Sequence, residues 1–241
     1  MRLRRFLSCV ICAFLPLPAV AEEALVAVAA NFLTTAESLA ARYEAESGHR
    51  IVVTHGATGQ LYAQILNGAP YDIFLSADER RPALLDEQDR ASERRTYALG
   101  QLSLISKAEL DLSGASSAFE GKTVALADPT VAPYGLASTS AMEDLRLDTS
   151  TFRTVLLSDV GQVASVFATG NADFAFVAKS LLPVINPPFA TDMSGRHPPI
   201  RQDGVLLLRA ADNEAATGFW TFLKGDAARD LIEDAGYGLP E

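Results

Sequence analysis

The 241-residue sequence has two cysteines, Cys9 and Cys12, and both fall in its first twelve positions. No disulfide framework or sulfur-ligated metal cluster is available to the rest of the chain. Histidine is equally sparse, and His49, His55 and His197 are too scattered for a nitrogen-ligated metal site. Cations are outnumbered: 20 Lys and Arg stand against 30 Asp and Glu, a net charge of −10. Such a chain offers no basic surface to a phosphate backbone, so nucleic acid is disfavoured as a partner. Long apolar runs are missing as well. The run at 6–17 is shorter than the ~20 residues of a bilayer span, and no later stretch is long enough.

What is present begins with a targeting signal. Arg2, Arg4 and Arg5 precede the run at 6–17, and Ala19-Val20-Ala21 supplies small residues for cleavage, so 1–21 reads as a secretory signal peptide. Its removal takes three arginines and no acid, changing −10 to −13, and takes both cysteines. The mature chain is expected to be secreted and soluble. With 49% apolar residues overall, it is long enough to bury a core of its own.

Apolar stretches then alternate with stretches of helical periodicity. Strands are expected at 25–28, 51–54 and 71–76, and helices at 33–47, ending at Gly48, and 58–67, closed by Gly68. An alternating segment at 96–107 and an apolar one within 203–209 look like paired connecting strands. Between them the theme repeats, with strands at 123–127 and 173–177 and helices at 134–145 and 160–169. Helices at 215–223 and 227–235, broken by Gly225, should return to the first half. This is an α/β chain of two Rossmann-like lobes, the first built from 22–103 and 202–241, the second from 104–201. Open α/β sheets bind ligands beyond the carboxyl ends of their strands, which places a shared cleft between the lobes.

Four loops would face that cleft: 29–32, 55–59, 132–135 and 158–161. Each leads into an expected helix, whose first N–H groups lack acceptors and carry the positive end of the helix dipole. The Asn31 amide and the Thr58 and Tyr134 hydroxyls add neutral donors, and none of the four segments contains Lys or Arg. A tetrahedral dianion suits such a site because it only accepts hydrogen bonds, each contributing roughly 1.5–3 kcal/mol when made to a charged group. Monohydrogen phosphate suits it less, since its proton needs an acceptor. Asp159 is the nearby carboxylate, and a helix cap is its expected role.

These residues sit in longer stretches: AANFL at 29–33, YAQILNGAPYDIFLSAD at 62–78, ADPTVAPYGLA at 127–137, SDVGQV at 158–163, and FLKGDAA with AGYGLP near the end. In them the chain resembles the periplasmic molybdate-binding proteins of ATP-binding cassette transporters. The resemblance implies a type II periplasmic binding-protein fold, capture of molybdate or tungstate, no catalysis, no cofactor, and delivery to a permease in the inner membrane. Carried over position by position, it implies a ligand set of Asn31, Ala57, Thr58, Tyr134 and Val160, the last through its backbone N–H. Phe32 departs from the paired serines of many relatives, and the Asn-Phe pair is similar to a distinct subgroup. Many relatives also have a ligand-binding tyrosine where Ala178 stands here, and Tyr134 is expected to replace it from another wall.

Other signals are weak. Gly121-Lys122-Thr123 resembles the end of a phosphate-binding loop, but Ser116 occupies the place of its first glycine and an apolar strand follows. His55-Gly56 lacks the nucleophile elbow that an esterase would need. Asp72 and Asp78 read as strand-end and capping residues, and Trp220 and Phe222 as core. The remaining alternatives are a protein of the same fold for sulfate, phosphate or another small anion, and a secreted hydrolase, for which no nucleophile and base pair is evident.

Overall fold

The computed structural model describes residues 21–112 and 115–240; the signal peptide expected at 1–21 lies, but for Ala21, outside them. The first βα unit is β1 (Glu23–Ala29), a 3-10 turn (Ala30–Phe32) and α1 (Leu33–Ser47). Gly48 ends α1 in the left-handed conformation that glycine adopts without a Cβ clash, at φ 76°. Then come β2 (Arg50–Gly56), α2 (Thr58–Leu66), β3 (Ile73–Leu75), α3 (Arg80–Glu87) and β4 (Ala91–Gly100). The second half comprises β5 (Leu102–Ser106), α4 (Ala115–Phe119), β6 (Thr123–Ala127), α5 (Pro133–Asp144), β7 (Arg153–Leu157), α6 (Val160–Ala168), β8 (Phe174–Ala178), α7 (Leu182–Ile185) and β9 (Phe189–Asp192). The chain closes with β10 (Ile200–Leu207), α8 (Glu214–Phe222) and α9 (Asp226–Asp234).

Two five-stranded sheets result, ordered β2-β1-β3-β10-β4 and β7-β6-β8-β5-β9. In each, three parallel strands carry the βα units while the connecting strand runs antiparallel beside them. Their central strands are apolar on both faces, as strands covered by helices on each side must be. Val26, Val28 and Ile73 pack under Leu39 of α1 and Phe219 and Trp220 of α8, so the C-terminal helices do return to the first sheet. Phe74 and Val205 face Leu61, Ile65 and Leu85 on its other side.

The segment 96–107 is not one strand. β4 pairs with β10 in the first sheet, β5 pairs with β8 and β9 in the second, and the chain passes between them at Gln101. Ile200 and Arg201 already pair with Gly100 and Leu99. The apolar spacing changes phase at the passage, from Tyr97 and Leu99 to Leu102 and Leu104, with Gly100 and Gln101 between them.

Candidate functional site

Four helix starts meet where the two sheets face each other. The 3-10 turn after β1 and α2 after β2 come from the first half, and α5 and α6 from the second. Pro133 opens α5, where its missing N–H costs nothing, and the preceding loop is held by Asp128, whose carboxylate accepts from the Thr130 N–H at 2.8 Å and hydroxyl at 2.7 Å. Asp159 caps α6, accepting from the Gln162 backbone N–H and side-chain amide, each at 3.0 Å. Both its oxygens are thus occupied, as expected of a cap.

Between these ends lies a small, tight cavity lined by residues that include Asn31, Ala57, Thr58, Tyr134, Asp159 and Val160. All five expected ligand residues border this one space, and each is 2–3% exposed. Among the described residues no Lys or Arg lines it. Thr58 Oγ1 accepts from the Ala77 N–H at 3.2 Å, which leaves the hydroxyl hydrogen free to donate. A larger groove runs outside Pro133, lined by Arg80, Arg81 and Arg201, of which Arg81 pairs with Asp78 and Arg201 with Glu79 at 3.3 Å.

Behind the cavity wall is a buried polar network. Asn31 Nδ2 donates to Gln202 Oε1 at 3.0 Å and to Tyr237 Oη at 3.1 Å, so both amide hydrogens are committed. The backbone N–H of Asn31, on the first turn of its helix, is the donor left for a guest. Tyr97 Oη lies 2.9 Å from the Ser76 carbonyl and 3.0 Å from Gln202 Oε1. Gln202 Nε2 donates to Tyr134 Oη at 3.3 Å. Tyr237 donates to the Asn31 carbonyl at 2.6 Å, and Ser180, from the second half, donates to the same carbonyl at 3.1 Å. Burial holds the Tyr97, Tyr134 and Tyr237 phenols above the ordinary tyrosine range, and the proximity of Tyr237 raises the first two further. All three remain protonated donors at neutral pH.

Phe32 belongs to this layer rather than to the cavity. Fully buried, it meets Tyr97 edge-on at 4.8 Å and Tyr237 at 5.1 Å between ring centroids, fixing both tyrosines. Ala178 is buried at the end of β8 and does not line the cavity. Gln202, Tyr97, Tyr237 and Ser180 were not singled out in the sequence as site residues. Tyr237 lies within the quoted AGYGLP stretch, but its partner Asn31 is 206 positions away.

Across the cavity rim the halves touch directly: the Gly59 N–H donates to the Val131 carbonyl at 2.9 Å, and Arg81 reaches the Thr130 carbonyl at 3.3 Å.

The bacterial extracellular solute-binding protein family matches residues 24–238. The molybdate-binding protein ModA of Azotobacter vinelandii is 38% identical over 233 residues, which cover 91% of each chain. That of Rhodobacter capsulatus is 38% identical over 231 residues, covering 92% of this chain and 91% of the relative. Among solved structures, the Azotobacter vinelandii periplasmic molybdate-binding protein superposes with a TM-score of 0.83 at 38% identity, covering 90% of this chain and all of that one.

Proposed function

The chain belongs to the bacterial extracellular solute-binding protein family, and on that premise we propose that it captures molybdate, and tungstate, between its two sheets. The observation that carries the reading is the cavity at four helix starts, with no Lys or Arg among the described residues on its wall. A dianion there would take hydrogen bonds from the Thr58 hydroxyl, the Tyr134 phenol, and the backbone N–H groups of Asn31, Thr58 and Val160, with Ala57 packing at the α2 start. The two sheets are the lobes that part and close, and binding shifts that equilibrium toward the closed form. No bond is made or broken in the guest.

The same reading assigns the Asn31-Phe32 pair to a subgroup of molybdate-binding relatives, in which Phe32 packs instead of binding. The protein works in the periplasm, reached through the signal at 1–21, as a monomer that hands its anion to an ATP-binding cassette permease and has no dealings with nucleic acid.

Thermal unfolding with molybdate, tungstate, sulfate and phosphate at equal concentration tests it. A guest at a hundred times its Kd adds about 2.7 kcal/mol of stability. Molybdate and tungstate should raise Tm while sulfate and phosphate do little. Stabilisation by sulfate or phosphate alone would replace the assigned guest, and turnover of an ester without stabilisation by any oxyanion would replace the class.

A further inference from the structure

Gln202 is buried on β10, the strand by which the chain returns from the second half to the first. Its amide is hydrogen-bonded to both Asn31 and Tyr134, which border the cavity from opposite halves, and the Tyr134 phenol also meets the Asn31 side chain and the Gln101 backbone. The Oε1 end accepts from Asn31 and lies within bonding distance of Tyr97, while the Nε2 end donates to the Tyr134 oxygen. Direction matters here. A phenol that accepts from Gln202 has its own single hydrogen left for another acceptor. Space is tight as well: a Cβ at Gly100 would stand 2.5 Å from Tyr134 Oη and 2.6 Å from Gln202 Nε2. The strand end is bare at the point where phenol and amide meet.

Resting on the reading of the cavity as an oxyanion site, we propose that Gln202 is a positioning residue that turns the Tyr134 hydroxyl hydrogen toward the guest and holds Asn31 at the opposite wall. It couples both halves to one anion without touching it. An acceptor in its place would reverse the Tyr134 hydroxyl, and the guest would lose a donor.

Gln202→Glu makes that change in nearly the same volume, and calorimetric titration with sodium molybdate reads it. At about pH 9 the ionised carboxylate should weaken binding about a hundredfold. Near about pH 6 the loss should shrink, because a protonated carboxyl regains a donor. The parent protein should change little over that range. In a Tyr134→Phe background the same substitution should cost at least tenfold less, since the group it acts through is gone. Should Gln202→Glu not fold, Gly100→Ala disturbs the same pair from the strand side and should also weaken molybdate binding. Parent-like affinity in Gln202→Glu, or an equal loss with and without the Tyr134 hydroxyl, would overturn the positioning role while leaving the molybdate reading intact. A parent protein that binds no molybdate would overturn both.

Discussion

Asp159 sets a carboxylate on the wall of a cavity read as an anion site, and its hydrogen bonds explain how that is tolerated. Both oxygens are turned to Gln162, one on the α6 backbone and one on its side chain, so the charge serves the helix start. Asp159→Ala should therefore lower stability by about 1 kcal/mol, as loss of an N-cap does, without weakening molybdate binding. Urea unfolding and titration together check this; a fall in affinity with stability unchanged would mean the carboxylate meets the guest. At this scale the sequence was partly legible. The five expected residues do surround one space, because loops that follow parallel strands share an edge. The Asn31 amide was read as a guest donor, and the structure commits it instead to Gln202 and Tyr237, 171 and 206 positions away. Nothing in local spacing reports a partner so distant.

Elements that carry long apolar patterns were readable, and those without them were not. α1, α2, α5, α6, α8 and α9 lie within a residue or so of their expected spans. β7 and β9 escaped notice because both are edge strands with mostly exposed residues, whereas α3 follows the Asp78 read as a cap, whose carboxylate accepts from the Arg81 N–H at 3.0 Å. The placement of α5 depends on one close approach. A Cβ at Gly135 would lie 2.3 Å from the Ala127 carbonyl oxygen, so the helix bearing Tyr134 sits against the end of β6 only because that position is bare. Gly135→Ala should cost about 1–3 kcal/mol and lower Tm, and should weaken binding by displacing Tyr134. An unchanged Tm would show that α5 can withdraw from β6 freely.

For the molecule as a whole, the three buried tyrosines tie stability to pH. Each phenol ionises less readily in the folded protein than in the unfolded chain. Their contribution is complete below the ordinary tyrosine pKa of about 10. Above it the unfolded chain sheds protons that the native state keeps, and stability falls by up to about 1.4 kcal/mol per pH unit for each tyrosine. Thermal denaturation should show a steep drop in Tm between about pH 10 and pH 11; a flat profile there would contradict full burial of the network. The two-sheet architecture was legible from the alternation of strands and helices, and the passage between sheets coincides with Gly100 and Gln101, where the apolar spacing changes phase.

That passage governs how the molecule can flex. Outbound, the chain moves from one sheet to the other at Gln101; inbound, Pro198 and Pro199, with φ locked by their rings, lead directly into β10. Any relative swing of the halves must pass through these two links, Gln101 on one side and 193–199 on the other. Small rotations there become large displacements at the far rim, where Gly59 and Arg81 grip the opposite edge. A spectroscopic distance ruler spanning that rim would register opening long before one placed beside Gln101.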